Sequence, residues 1–178
     1  MDVPAVETER LELVSLGPQV LAALLDGRRS EAEGISGLKF PDGWVAELEW
    51  LMRLRLEQMT EDRATQPWLL RAIVLREPDR EVIGHINFHE PPGESGAAEI
   101  GYTIDPAFRR RGFATEAVLG MFRWAEKEHG VSRFIASVSP TNEPSLRLIA
   151  NLGFVRTGEQ WDELDGEEYV FELVRGEN

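Results

Sequence analysis

The chain has 178 residues, a formal net charge of −13 and no cysteine. That length suits one domain able to bury a core without covalent staples. The missing cysteines exclude disulfides, thiolate nucleophiles and thiolate metal sites. The acidic balance disfavours nucleic acid or an anionic membrane as partner, because phosphate is repelled.

No apolar run approaches the roughly 18 residues that span a bilayer. The opening MDVPAVETER has neither the basic nor the apolar region of a secretory signal. These features lead to the expectation of one soluble, cytoplasmic domain over residues 1–178.

Taken in chain order, Thr8–Leu16 alternates, with Leu11 and Leu13 on one face, and predicts a first strand. Pro18 opens a helix through Leu24 and Leu25 that stops near Gly27. Residues 27–43 hold Gly34, Gly37, Pro41 and Gly43 and read as a loop with at most one broken turn. Trp44, Val45, Leu48, Leu51, Met52 and Leu56 then recur at helical spacing, as a core stripe does.

After Pro67, PWLLRAIVLRE and EVIGHINFHE predict two strands around the turn EPDRE. A third strand, AAEIGYTI, follows the turn PPGESG. A helix is expected from Phe113 to His129 with Gly130 as its C-cap. Ser132–Val138 reads as a strand, and Asn142 as the cap of a short helix with Pro144 in its first turn. Two closing strands meet at an Asp165–Gly166 turn. The strand–helix–strand unit from Ala97 to Val138 requires a parallel pair, while short turns make the flanking strands antiparallel. The expected fold class is α/β, in the α+β sense. It is a single mixed, mostly antiparallel sheet with helices on both faces.

IDPAFRRRGFATEA concentrates positive charge where the third of these strands ends and a helix begins. A helix N-terminus carries unpaired N–H groups and partial positive charge, and is a ready anion site. Gly112 and Ala114 let an anion approach the main chain. Arg109, Arg110 and Arg111 add a local cationic field. A small polyphosphate fits so local a charge better than a nucleic-acid backbone does. A solvated basic turn is the competing reading of this motif taken alone.

AEIGYTIDPAFRRRGFATEA, followed by SVSPTNEPSLRLIANLGF, resembles the GNAT superfamily of acyl-CoA-dependent N-acetyltransferases. The opening ETERLELVSL is similar to the branch containing ribosomal-protein N-terminal acetyltransferases. The resemblance implies a splayed central strand pair and acetyl-CoA as co-substrate, with no metal. It implies that the loop matching Arg109, Arg110, Arg111, Gly112, Phe113, Ala114 and Thr115 holds the CoA pyrophosphate through backbone amides. It further implies that Tyr102, Thr103 and Ile104 flank the pantetheine or thioester. Asn142 and Ser145 would contact the CoA arm.

Acetyl transfer needs a neutral amine. At pH 7 a lysine of pKa ~10.4 costs roughly 4–5 kcal/mol to deprotonate, and an α-amine near 8 roughly 1–1.5 kcal/mol. Direct attack is expected, since no cysteine is available to form an acyl-enzyme. Glu99 is the leading general base, the one acid between Ala97 and Ile104; a strand-end carboxylate paired with arginine is the alternative. Ser145 is the group expected to serve the departing thiolate, or else it supports the helix start. The tyrosine that many superfamily members place four residues before the closing Gly-Phe is Ile149 here.

His85, Asn87 and His89 alternate onto one strand face and could line the acceptor site or supply a second base; ordinary polar packing is the other account. The histidine pair stands ~13 Å apart along a strand, too far to chelate one metal. The expected acceptor is a small amine or a protein N-terminus, and the expected assembly a monomer or homodimer. A non-catalytic acyl-CoA sensor on the same fold, or the same enzyme class with another acyl-CoA, remain as alternatives.

Overall fold

A computed structural model describes residues 3–78, 80–164 and 166–176. The named strands are β1 (Val6–Glu7), β2 (Leu11–Ser15), β3 (Arg71–Leu75), β4 (Val82–Phe88), β5 (Ala97–Ile104), β6 (Arg133–Val138), β7 (Val155–Asp162) and β8 (Gly166–Val174). The helices are α1 (Pro18–Leu25), α2 (Arg29–Ser36), α3 (Trp44–Glu61), α4 (Phe113–His129) and α5 (Glu143–Asn151). The strand order is β1-β2-β3-β4-β5-β6-β8-β7. The β5–β6 pair is parallel, as the intervening helix requires, and the registers of β1–β2, β2–β3, β3–β4, β6–β8 and β7–β8 are antiparallel.

The chain divides into two compact units. The first holds residues 1–87 and 102–120, so it includes the end of β5 and the start of α4. Leu11 and Leu13 of β2 are fully buried, and Leu13 Cδ1 lies against Gly120 of α4. Ala72 and Val74 of β3 join a core built from Leu21 and Leu24 of α1 with Leu48, Leu51 and Met52 of α3. Period-two alternation along β3 thus gives each sheet face its own helical cover in this unit.

The second unit holds residues 88–101 and 121–178. Its core is aromatic. Phe122 of α4 stacks on Phe134 of β6 at 3.9 Å between centroids, with Phe88 and Phe154 each about a ring's width further out at 6.2 and 6.1 Å from one of that pair.

Two expectations are corrected. Residues 27–43 are not a loop with one turn, because α2 takes up Arg29–Ser36. The first strand does not run unbroken from Thr8. Thr8 N–H donates to Leu11 O and Leu11 N–H to Thr8 Oγ1, turning the chain between β1 and β2. The helix boundaries Pro18–Leu25 and Phe113–His129 are as the periodicity predicts, and Gly130 closes α4 with φ +67°. Asp79 of the EPDRE turn and Asp165 of the expected Asp165–Gly166 turn lie outside the described residues. Gly166 opens β8 at φ +77°.

Asn142 caps α5, its Oδ1 accepting from Ser145 N–H at 3.3 Å. Asn142→Ala is expected to cost about 1 kcal/mol of unfolding free energy, the usual worth of an N-cap. Urea denaturation checks this, with Asn142→Asp as the variant that retains an acceptor and most of the stability.

Candidate active site

In the first unit, Asp105 follows β5 and closes a 3-10 turn, Pro106–Phe108, by accepting from Ala107 N–H at 2.9 Å. Arg110 and Gly112 then take left-handed conformations, with φ +62° and +79°. That costs a non-glycine residue on the order of 1–2 kcal/mol, and strain of this kind collects at binding loops. Helix α4 begins at once, with Glu116 N–H donating to Gly112 O at 3.1 Å. The first-turn amides of Phe113, Ala114 and Thr115 have no intrahelical acceptor, by helix geometry.

The three arginines have different roles. Arg109 folds back, its Nε donating to Ile104 O at 2.8 Å. Arg111 lies over the Phe113 ring at 5.0 Å, and Arg110 is exposed. A Cβ on Gly112 would meet Arg10 Nη2 at 3.5 Å, an ordinary van der Waals contact, so the Arg10 side chain borders this turn. A turn with left-handed residues leading into a helix start fits a phosphate group.

The end of β5 is tightly seated in the same unit. Ile104 is 6% exposed and Thr103 is exposed. A Cβ on Gly84 of β4 would lie 2.1 Å from Thr103 O, so only glycine allows this approach. Asp105 N–H donates to Ile83 O at 2.8 Å just beyond.

β4 is buried along its whole length, so His85 and Asn87 are interior residues, 9% and 3% exposed. Asn87 Oδ1 accepts from Arg55 Nε and Nη2 at 3.2 and 3.1 Å, and Arg55 Nη1 donates to Gln58 Oε1 at 2.8 Å. Burial, helped by the charge on Arg55, lowers the His85 pKa to about 4. The unfolded chain therefore binds a proton near pH 6.5 that the native state refuses. Stability is fully present above pH 6.5 and falls as pH drops towards 4, by up to about 1.4 kcal/mol per pH unit. Urea denaturation at pH 7.5 and pH 5 should show this slope in the wild type and a flatter one in His85→Gln. Equal slopes would remove His85 as the cause.

In the second unit, Glu99 is set by its register. It pairs with Ile135 at the end of the β5–β6 ladder, although both strands continue. Ser137, two residues beyond Ile135, shares its face, and Ser137 Oγ donates to Glu99 Oε1 at 2.6 Å. Gln160 Nε2 donates to Ser137 Oγ at 3.2 Å and to Glu168 Oε2 at 3.0 Å. His89 N–H donates to Glu99 O, which makes the two residues cross-strand neighbours, with His89 Nδ1 3.6 Å from Glu99 Oε2. Burial by itself would raise the Glu99 pKa, and Asp162 pushes the same way. His89 and the Ser137 hydroxyl together outweigh them and hold the carboxyl below its ordinary value. Glu99 is therefore ionised at neutral pH.

Asn142 and Ser145 also belong to this unit, at the start of α5. Glu99 and Ser145 share no hydrogen bond among the described residues. Tyr102, Thr103 and Ile104 continue the strand that carries Glu99. Sequence reasoning missed Ser137 and Gln160; the parallel pairing of Ala97–Ile104 with Ser132–Val138 was legible, but only the register Ala97↔Arg133 puts Ser137 on the face of Glu99. Among the described residues no group of three or more His, Cys, Asp or Glu could hold a metal ion.

The model of the acetyltransferase (GNAT) domain matches residues 10–155. YnaD of Bacillus subtilis (strain 168), described as an uncharacterized N-acetyltransferase, is 35% identical over 101 residues, covering 51% of this chain and 58% of YnaD. YoaA of the same organism, described likewise, is 28% identical over 159 residues, 87% of this chain and 85% of YoaA. Among solved structures, the ribosomal alpha-N-protein acetyltransferase RimL in complex with coenzyme A superposes with a TM-score of 0.65 at 15% identity, over 96% of this chain and 98% of that one. At that identity the likeness is one of fold.

Proposed function

This chain belongs to the GNAT acetyltransferase family, and from that premise we propose that it is an acyl-CoA-dependent N-acyltransferase moving acetyl from acetyl-CoA directly to a primary amine. The observation that carries the reading is the turn Arg109–Gly112, with two left-handed residues, leading straight into the start of α4.

When bound, acetyl-CoA supplies the acetyl group as an activated thioester and leaves as the thiol. The main chain from Arg111 to Thr115 grips the diphosphate, with Arg110 as the nearby exposed cation. Tyr102, Thr103 and Ile104 line the pantetheine, and Asn142 contacts the CoA arm. Glu99 takes the proton that the acceptor ammonium must lose before its nitrogen attacks the carbonyl carbon. As the C–S bond breaks, the nitrogen loses its second proton, which ends on the departing sulfur to give the CoA thiol, and Ser145 donates a hydrogen bond to that sulfur. No side-chain thiol intervenes, since the chain contains no cysteine.

A carboxylate held below its ordinary pKa is a weak base. It suits an α-amine near pKa 8 better than a lysine near ~10.4, so we place a protein or peptide N-terminus ahead of lysine side chains as acceptor. The test is release of CoA thiol with acetyl-CoA and a panel of peptides, amino acids and polyamines. Acetylated product from an α-amine is expected. Tight CoA binding with no transfer to any acceptor would overturn the assignment and leave an acyl-CoA sensor.

A further inference from the structure

We propose that Arg10, anchored by Glu116, is the positioning residue that aims the loop amides at the diphosphate and so makes the enzyme selective for CoA-bearing donors. This rests on the function proposed above.

All the groups involved lie within the first unit. Glu116 is the fourth residue of α4, where a bare carboxylate would repel an anion bound at the helix start. Its oxygens are already occupied. Oε1 accepts from Thr8 Oγ1 at 2.6 Å and from Arg10 N–H at 2.7 Å, and Oε2 accepts from Arg10 Nε at 2.7 Å. These bonds, with the charge on Arg10, outweigh burial and hold the Glu116 carboxyl below its ordinary pKa.

The same guanidinium reaches the loop. Arg10 Nη1 donates to Arg111 O at 3.0 Å, and Arg10 Cζ sits 4.5 Å from the Phe113 ring centroid. A trans peptide is planar, with its C=O and N–H antiparallel. Because Arg111 C=O points at Arg10, the Gly112 N–H points away from it. Arg10 thus does two things with one side chain: it neutralises Glu116 and fixes the orientation of the Arg111–Gly112 peptide.

The anchor itself is held firmly. Thr8 N–H donates to Leu11 O, Leu11 N–H to Thr8 Oγ1, and Arg76 Nη1 to Thr8 O. A Cβ on Gly120, one turn beyond Glu116, would lie 2.7 Å from Thr8 Cγ2, so the helix comes in as close as glycine permits.

The experiment compares kcat/KM for acetyl-CoA with that for S-acetylpantetheine, which lacks the diphosphate, in wild type, Arg10→Gln, Arg10→Lys and Glu116→Gln. Arg10→Gln should lower kcat/KM for acetyl-CoA about 30-fold, chiefly through KM, and cut the ratio between the two donors about 10-fold. Arg10→Lys keeps the charge but loses the fork that joins carboxylate to carbonyl, and should recover only part of the ratio. It also covers the case in which Arg10→Gln does not fold. An unchanged ratio in Arg10→Lys or Arg10→Gln, with wild-type turnover intact, overturns this proposal alone, whether the two donors fall together or not at all. Absence of both turnover and CoA binding in the wild type overturns the proposed function and this inference with it.

Discussion

Replacing Glu99 with glutamine is expected to lower kcat about a hundredfold to a thousandfold while KM for acetyl-CoA changes little, the range typical of a lost general base. Glutamine keeps the shape and an oxygen that can still accept from Ser137 Oγ. It loses the charge that faces His89 and the capacity to take a proton. A thermal melt should therefore stay close to that of the wild type. The wild-type pH profile should agree: Glu99 is held below its ordinary pKa, so its loss of activity comes only at pH below the usual carboxylate range. An unchanged kcat in Glu99→Gln would assign the proton to another group. His89, its cross-strand neighbour, would be the first to replace next.

Replacing Gly84 with alanine is expected to cost about 3 kcal/mol or more, or to abolish soluble expression, because overpacking against backbone has no cheap relief. The added Cβ would stand 2.1 Å from Thr103 O and 3.1 Å from Ile104 Cα. Neither contact is the free end of a side chain, so β5 itself would have to move. The same shift would displace the segment assigned to the pantetheine. Urea denaturation of Gly84→Ala against Ile83→Val, which should lose only about 1 kcal/mol, separates this collision from a general intolerance of β4. A melting temperature within a degree or two of the wild type would contradict the close approach.

The parts of the fold with a strong local signal were legible in the sequence. α4 could be bounded at both ends because its apolar period stops at Gly130, a residue that suits the left-handed cap it adopts. Asn142 and Pro144 marked the start of α5 for the same kind of reason. α2 was not legible. RSEAEGIS has a glycine inside it and buries only Ala32. It is held by contacts beyond its own eight residues: Arg29 reaches Asp42 and the carbonyl of Phe40.

The site divides in the same way. Arg109–Ala114 could be read because strand end, charge and glycine adjoin in sequence. Ser137 needed the strand register, since 38 positions separate it from Glu99. Arg10 and Glu116 are 106 positions apart, and no periodicity links them. His85 could be placed on a strand but not inside the protein, because β4 is covered on both faces and alternation cannot reveal that.

The claim on which the rest depends is that bare main chain between Arg111 and Thr115 receives the diphosphate. An amide NMR titration of the protein with CoA tests it most directly. Saturable shifts concentrated at Gly112, Phe113, Ala114 and Thr115, and much weaker with pantetheine, are what this account predicts. CoA binding that leaves those four amides unmoved, or moves them equally with pantetheine, would contradict it.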